Sequence, residues 1–585
     1  MMRARLAAAL LALLTALLAG CGRPEARGEG AFRQKADLLW KEVRADWEFR
    51  DEAPAGEAGC VVFFSVCDGS RRADVRSGSG ETLEAAWSAA VRETEAFLRE
   101  DGLFPRWVKA DVVCASETAG ADRLARELTQ SRDAFFHRGL AFDGAFGTAL
   151  LEAELNGAKI YDYENGRVNL NYLNSYLKRA GRETLEALPE TYTLFLCRAW
   201  FCGEDGAVHA LIPDGPDGGR RRVEVIDRAC VEELLIDASA FLADMVKEDG
   251  SFVYGFYPRF DNELEGCNIV RHAGAIWSLL CRYRMAPDEA LAEKIERAID
   301  YMLTQVRYDE AGRAYLYEAK SDEIKLGGCG IAVVAMTEYM DVFRDGRYRE
   351  VCTALGEGIL TMLDQSSGEY YHVLNGDFSR KEAYRTVYYD GEATFALCRL
   401  YGLTGEERWL DAARSAADRF IAADYTRYRD HWVAYSMNEL TRYVEDEPAY
   451  YAFALENAWK NLEEIRCRDT ASHTYLELLM AAFEVYDRMA DAGMAAESFD
   501  LDALLQAIYA RADRMLSGYF YPECAMYMAN PQRILGTFMV RHEGYRVRID
   551  DVQHNIGGYY LFWKNYDRLT AYGLRSAPAD PRPAP

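Results

Sequence analysis

Positive charge is scarce in this chain. Its 585 residues include 68 lysines and arginines against 94 aspartates and glutamates, which gives a formal net charge of −26. A surface of this charge repels the phosphates of nucleic acids and the headgroups of an anionic membrane. We therefore expect no nucleic acid among the partners of this protein.

Histidine is also rare, and the cysteines lack a regular spacing. The chain has 8 histidines and 14 cysteines, or 13 cysteines without Cys21. An odd number without framework spacing disfavours a disulfide scaffold. Half of the residues are apolar, so the chain has ample material for folded cores, and its length favours two or more domains.

Long apolar runs are missing after the first 20 residues, so we expect no transmembrane helix in the remainder. The first segment, MMRARLAAALLALLTALLAGCG, has two arginines, a short apolar stretch and then small residues, which together are typical of a secretory signal. Its ending, Leu18-Ala19-Gly20-Cys21, resembles the bacterial lipobox. The resemblance implies a signal peptide over 1–20, a lipid anchor at Cys21, and a protein tethered in the bacterial cell envelope outside the cytoplasm.

The sequence next predicts a small mixed domain. Residues 21–58 are interpreted as a tether and an N-terminal helix, and 60–227 as an α+β domain. The stretches CVVFFSVCDG, WVKADVVCA and YTLFLCRAWF are typical of buried strands. The stretch SGSGETLEAAWSAAVRETEAFL is interpreted as a capped helix.

From residue 228 onward, helices of two kinds alternate. Six are apolar on almost every side, which indicates that they are buried: AGAIWSLLC, GIAVVAMTEYM, EATFALCRLY, WVAYSMNEL, TYLELLMAAFEVY and IGGYYLFW. Between them stand six amphipathic segments such as LAEKIERAIDYMLTQV, which can only lie outside. Three of the amphipathic segments are followed by a glycine turn and a short aromatic strand, so the pattern is an internal repeat.

Six buried helices inside six outer ones predict a mainly α fold, an (α/α)6 toroid of six helical hairpins over 228–570, followed by a disordered tail over 571–585. The pattern, with local stretches such as KLGGCGIAVVAM and DGEATFALCRLYGLTGEERWLDAA, resembles the toroids of six-hairpin glycosidases, polysaccharide lyases and uronyl epimerases. The resemblance implies a poly- or oligosaccharide as partner. It concerns architecture, so no family's catalytic residues are transferred to this chain.

The loops that lead into the buried helices are rich in groups that carry chemistry. Four of the 8 histidines, His272, His431, His473 and His554, stand in these loops together with several carboxylates and tyrosines. Aspartate before a helix is also a preferred N-cap, so each loop alone has a structural interpretation. Their convergence at one end of a ring predicts a polar pocket.

Two chemistries fit such a pocket. A glycosidase needs two carboxyl groups, for which Glu392 and Asp551 are the candidates, with His554 close to the second. A uronate lyase or epimerase needs a base, Tyr389 or His431, and a cation such as Arg271 or Arg546 that neutralises the substrate carboxylate.

The remaining predictions concern binding. The candidate substrate-binding residues are Arg271, His272, Tyr388, Trp432, Tyr545 and Arg546. No tight ligand spacing such as H-E-x-x-H occurs, so we expect no metal and no cofactor. A lipoprotein that binds or assembles glycans without catalysis is the alternative from another class.

Overall fold

The structure is a computed structural model that describes residues 24–47, 59–131, 135–266, 268–494 and 499–575. The predicted signal peptide, the anchor at Cys21 and the tail from residue 576 onward lie outside the described residues. The described chain forms two compact units.

The first unit is built on an antiparallel sheet. The strands follow the order Asp74–Gly80, Cys60–Cys67, Trp107–Gly120, Thr191–Cys202, Gly139–Ala141 and Ala149–Leu150, and Val208–Ala210 pairs with Thr191–Cys202. The three predicted strands are all present, because their apolar residues are buried in the cores of this unit. The helices of the unit are Pro24–Trp47, Leu83–Asp101, Ala121–Gln130, Glu152–Gly157 and Leu170–Arg179, and Tyr161–Asp162 pairs with Arg167–Val168.

The segment 21–58, interpreted as a tether and an N-terminal helix, contains the helix Pro24–Trp47. Its residues Phe32, Leu39 and Val43 are fully buried in the core of the first unit. A helix places these apolar residues on one face, so forming it allows the segment to bury them together.

The SGSG stretch is a strand and not a helix cap. It ends the strand Asp74–Gly80, and the helix Leu83–Asp101 is capped instead by Thr82, whose hydroxyl accepts from the backbone N–H of Ala85 at 3.2 Å. A Cβ atom at Gly78 would lie 2.2 Å from the backbone nitrogen of Ala90. The glycine therefore permits close packing of the helix on the strand.

The boundaries of the first unit differ from the predicted range of 60–227. The unit extends to Arg222 and also contains Pro258–Asp261 and Tyr521–Leu535. Met526 and Tyr527 are buried in its core, and the hydroxyl of Tyr527 lies 2.7 Å from that of Ser65. A stretch that the sequence assigned to the toroid thus completes the sheet domain. It contains the short helices Pro522–Ala525 and Pro531–Ile534.

The second unit is the predicted toroid. Its six inner helices, in chain order, are Ile269–Met285, Leu326–Phe343, Tyr388–Thr404, His431–Leu440, Thr474–Asp491 and Ile549–Ala571. Its six outer helices are Arg228–Asp244, Glu289–Leu303, Arg349–Thr361, Glu407–Ala422, Pro448–Trp459 and Leu501–Met515, with a short extra helix at Leu462–Cys467.

The inner helices form a closed ring. Each one packs against the inner helices before and after it, and the sixth packs against the first. The sixth inner helix also contacts the first outer helix, Arg228–Asp244, as the closure of the repeat requires. The prediction of a mainly α chain with an (α/α)6 toroid after a smaller α+β domain is confirmed.

The second inner helix is a long apolar run, although none was expected after the first 20 residues. Leu326–Phe343 is long and apolar enough to cross a membrane, and it is the one such helix among the described residues. Of its 18 residues, 83% are buried within the protein, as a core helix of a ring demands.

Short antiparallel strands join the hairpins, including the three predicted aromatic ones. They are Gly255–Tyr257, Asn262–Glu263, Val306–Tyr308, Ala314–Glu318, Glu323–Lys325, Leu363–Asp364, Glu369–Tyr370, Val373–Asn375, Arg380–Glu382 and Val547–Arg548. The strand Gly255–Tyr257 pairs with Val547–Arg548, which directly precedes the last inner helix. Strand pairing therefore links the first hairpin to the last.

The packing at Gly78 predicts a stability effect. Gly78→Ala places a methyl group against the backbone of the helix Leu83–Asp101, so we expect the free energy of unfolding to fall by about 1–3 kcal/mol. Urea denaturation measures the loss. The control is Gly144→Ala, where a Cβ atom meets nothing within 4 Å. Equal effects of the two changes would contradict the proposed role of Gly78.

Candidate active site

The loops that lead into the inner helices meet at one end of the ring, called here the mouth. Side chains from different helices contact each other there. Arg271 of the first inner helix pairs with Asp550 of the sixth at 2.8 Å, and the ring of Tyr388 lies 5.7 Å from that of His431. The convergence that the sequence predicts therefore occurs.

A histidine and a glutamate form a pair at the mouth. The Nδ1 of His554 donates to Oε2 of Glu477 at 2.8 Å, and the hydroxyl of Tyr435 donates to Oε1 of the same carboxylate at 3.0 Å. Gly557 permits this approach, because a Cβ atom there would lie 2.3 Å from Oε1 of Glu477. Since Nδ1 is held by the carboxylate, Nε2 is the ring atom that His554 offers to a ligand.

The imidazole of His473 lies beside this pair, and its pKa is shifted in the opposite direction from that of His554. The rings of His473 and His554 stack, with centroids 5.4 Å apart and 15° between their planes. Burial alone would lower the pKa of His554, but the charges of Glu477, Asp550 and Asp551 outweigh burial and raise it. Burial and the charge of His554 lower the pKa of His473 to about 3. His554 therefore favours the imidazolium form, and His473 favours the neutral form.

The loop before His473 is held in one conformation. The fully buried Arg511, on the last outer helix, donates to the carbonyl oxygens of Arg468 at 3.0 Å and Thr470 at 2.9 Å. Ser472 has a φ of 34°, in the left-handed region that residues with a side chain rarely adopt. Such backbone strain persists where the surroundings enforce it, and it is frequent at active sites.

His431 lies deeper in the same cluster. Its ring is 4.7 Å from that of His554, at 88°, and its Nε2 is 3.9 Å from Oε2 of Glu477. This Nε2 is buried and has no hydrogen-bond partner. Burial, reinforced by the two neighbouring histidines, lowers the pKa of His431 well below its usual value.

Two buried carboxyl groups lie near the starts of the third and fourth inner helices. Glu392 is 4% exposed, and burial together with Asp430 and Asp390 raises its pKa well above the usual value. Asp430 caps the fourth inner helix through Oδ1, which accepts from the N–H groups of Trp432 and Val433, and burial raises its pKa to about 7. One oxygen of each group, Oε2 of Glu392 and Oδ2 of Asp430, has no hydrogen-bond partner. Burial thus favours the protonated form of Glu392.

Asp551 does not suit the role of a free base. Arg546 binds it with two parallel hydrogen bonds of 2.9 and 2.8 Å, and its side chain is 1% exposed. Asp550 is likewise bound by Arg548 and Arg271. A bidentate ion pair occupies both oxygens of Asp551, which disfavours Asp551 as the base of the predicted pair with Glu392. Arg546 is engaged in the same pair and is not a free cation for substrate.

Three other predicted binding residues are buried and contact other parts of the protein. The Nε2 of His272 donates to the carbonyl oxygen of Ala298 at 2.9 Å, and burial lowers its pKa to about 4. Tyr545 is 2% exposed and stacks on Phe520. Trp432 is 3% exposed and packs among other aromatic rings.

Tyr389 is also poorly suited to its predicted role as a base. Its ring is buried, 5.5 Å from that of His372, and burial with the charge of Glu392 raises its pKa. A raised pKa leaves the phenol protonated, so it accepts no proton at neutral pH.

Arg271 and Tyr388 keep positions that suit substrate binding. The guanidinium of Arg271 is oriented by Asp550 and by the hydroxyl of Tyr254, and its side chain is 31% exposed. Tyr388 is 48% exposed beside the histidines of the mouth.

Glu477 and His473 were not among the predicted site residues. The sequence analysis placed His473 in a mouth loop without a role, and Glu477 was hidden within TYLELLMAAFEVY. Glu477 is fully buried in the fifth inner helix. The feature of the sequence that could have revealed Glu477 is a carboxylate in a helix that is otherwise apolar on all sides. Such a carboxylate requires a buried partner.

Comparisons with known proteins concern the architecture. No protein-family model and no curated protein matches the chain. It is similar to solved structures of a cellobiose 2-epimerase from Bacillus thermoamylovorans, a D-mannose isomerase, and an α-mannanase of glycoside hydrolase family 76 from Bacteroides thetaiotaomicron. The identities are 13%, 12% and 11%, and the TM-scores are 0.46, 0.46 and 0.42. The matches cover 58%, 59% and 58% of this chain and 99%, 100% and 97% of those chains. These identities and TM-scores are low, so the toroid is assigned from the closed ring of helices and not from the comparisons.

The contact between Glu477 and His554 predicts a change in titration. Glu477→Gln removes the closest negative charge from His554, so we expect the pKa of His554 to fall; the NMR shift of the ring C–H protons measures it. Glu484→Gln is the matched control, because Glu484 lies on the same helix and pairs with Lys564 instead. A pKa of His554 that falls equally in both variants would contradict the assignment.

Proposed function

We propose that the chain is a carbohydrate-active enzyme that moves a proton at the carbon next to the carbonyl group of a sugar, as an epimerase or isomerase does. The observation that carries the proposal is the pair His473 and His554, which stack at the mouth with pKa values shifted in opposite directions. Two titratable groups whose environments separate their pKa values are suited to act as base and acid.

The proton transfer follows from these positions. Neutral His473 takes the proton from the carbon next to the carbonyl, and the electrons of that C–H bond form the carbon–carbon double bond of an enediol. The imidazolium of His554 gives its Nε2 proton to the carbonyl oxygen, while Glu477 stabilises its charge through Nδ1. Return of a proton to the opposite face of the same carbon, with loss of the proton from the former carbonyl oxygen, gives an epimer. Return of a proton to the former carbonyl carbon, with loss of the proton from the neighbouring hydroxyl oxygen, gives the isomer.

The neighbouring side chains supply orientation. The guanidinium of Arg271 is held by Asp550 at 2.8 Å and remains partly exposed, so it suits hydrogen bonds to sugar oxygens. The exposed ring of Tyr388 offers an apolar face to a sugar ring. His431 and Tyr435 close the base of the site, where Tyr435 fixes the carboxylate of Glu477.

Hydrolysis is the second candidate, and one observation favours it. Glu392 is a buried carboxyl group of the third inner helix, and its raised pKa favours the protonated form that the acid of a glycosidase requires. Its predicted partner Asp551 is bound by Arg546, so the base would have to be Asp430, which also caps a helix. The histidine pair has no such conflict, and it is preferred for this reason.

Activity on reducing sugars tests the proposal. In heavy water, we expect the enzyme to incorporate deuterium next to the carbonyl group of a reducing mono- or oligosaccharide, observed by NMR over a panel of sugars. The variants His473→Asn and His554→Asn are expected to slow this exchange by about 10²–10⁴-fold, because each removes a proton carrier.

The control is His209→Asn, in the first unit, which leaves both rings in place. Exchange that survives in both mouth variants would refute the proton-transfer assignment. New reducing ends that disappear in Glu392→Gln, without any exchange, would identify a hydrolase instead.

We also propose that the enzyme works outside the cytoplasm, anchored by a lipid on Cys21; the lipobox-like sequence Leu18–Cys21 supports this. Cys21→Ser is expected to abolish incorporation of labelled fatty acid in a bacterial host and to release the protein from the membrane fraction. Cys467→Ser, at an exposed cysteine, is the control. Label that persists in Cys21→Ser would refute the anchor.

A further inference from the structure

The proposed proton transfer leaves one group at the mouth unused. His431 is directed into the interior, and its buried Nε2 has no hydrogen-bond partner. A buried nitrogen without a hydrogen-bond partner destabilises the folded protein, so the position of this nitrogen calls for an explanation. The nearest carboxylate oxygen is Oε2 of Glu477, at 3.9 Å.

Three ligand atoms converge at this point. His431, Glu477 and His554 each offer one atom suited to a metal ion, and all three atoms lie within 4.8 Å of one another. Two imidazoles and a carboxylate form a set that zinc and related divalent ions prefer.

The size of the cluster fits a single ion. Two sides of the triangle are 2.8 and 3.9 Å, and with a third side no longer than 4.8 Å a central point lies within about 2.4 Å, half of 4.8 Å, of all three atoms. Zinc binds imidazole nitrogen and carboxylate oxygen at about 2.0–2.2 Å. Shifts of a few tenths of an ångström would therefore complete the coordination.

The surroundings orient one of the three ligands. The hydroxyl of Tyr435 holds the other oxygen of Glu477 at 3.0 Å, so Oε2 remains directed at the two histidines. Asp430 lies 3.9 Å from Nδ1 of His431, which is beyond hydrogen-bond distance.

We propose that a divalent ion of the zinc class binds to His431, Glu477 and His554, and that the metal-bound protein is an inactive form of the enzyme. The ion replaces the hydrogen bond between Nδ1 of His554 and Oε2 of Glu477, because both atoms become ligands. A ring whose Nδ1 binds the ion cannot become an imidazolium, because an imidazolium carries a proton on each ring nitrogen. The loss of turnover rests on the proposed function, whereas the binding of the ion does not.

Zinc chloride is the probe. Isothermal titration of the mature chain, begun at residue 22 and freed of metal by a chelator, is expected to show one zinc ion per chain. Glu477→Gln and His431→Asn are each expected to weaken binding by more than about 100-fold, because loss of a direct ligand exceeds the effect of losing an outer partner. His473→Asn is the matched control for binding, since His473 is a mouth histidine outside the ligand set.

A second measurement needs no variant of the cluster. On addition of zinc to the unchanged chain, the NMR signals of the His431 and His554 rings are expected to shift, and those of His209 and His272 are expected to stay. Failure to bind zinc, binding that is unaffected by both ligand variants, or shifts confined to other histidines would each overturn the site.

The activity assay separates the two proposals. Zinc is expected to stop deuterium exchange in proportion to the fraction of chains that bind it, and a chelator is expected to restore exchange. Zinc that binds at the cluster and accelerates exchange would overturn the inactive form. Zinc that binds there in a chain without any exchange activity would overturn the proposed function and leave the metal site standing.

Discussion

Closure of the ring is the constraint on which the toroid depends. The sixth inner helix packs against the first, and the strand before it pairs with Gly255–Tyr257 of the first hairpin. Each inner helix is apolar on almost every side, so it is buried only when both neighbours are present. The residues that face the interior are therefore shielded from water. Electrostatic interactions between the polar groups placed among them are stronger there than in water.

That dry interior explains how two histidines of one cluster differ. Burial disfavours the charged form of both His473 and His554, but only His554 has a carboxylate, Glu477, against its ring. The difference thus comes from the carboxylates near His554, of which Glu477 contacts its ring. The same burial raises the pKa of Glu392 and favours its protonated form.

Much of the architecture could be predicted from the sequence, because apolar periodicity reports burial directly. All six inner and six outer helices stand where their patterns indicate. The site was harder to predict, since its pairs join residues far apart in the chain. The carboxylate of Asp551 attracted attention as part of an acidic pair, yet its partner Arg546 already occupies it. Glu477 was not chosen as a candidate, because a glutamate within a helix is normally exposed to solvent. The SGSG stretch misled for a local reason: glycine suits both a helix start and a strand that a helix approaches closely.

The return of Tyr521–Leu535 to the first unit has a consequence for the order of folding. A ribosome makes the sheet of this unit within the first 222 residues, but Met526 and Tyr527 of its core appear some 300 residues later. Domains generally fold in order from the N-terminus as the chain emerges. The core of the first unit is therefore complete only after most of the ring has been synthesised.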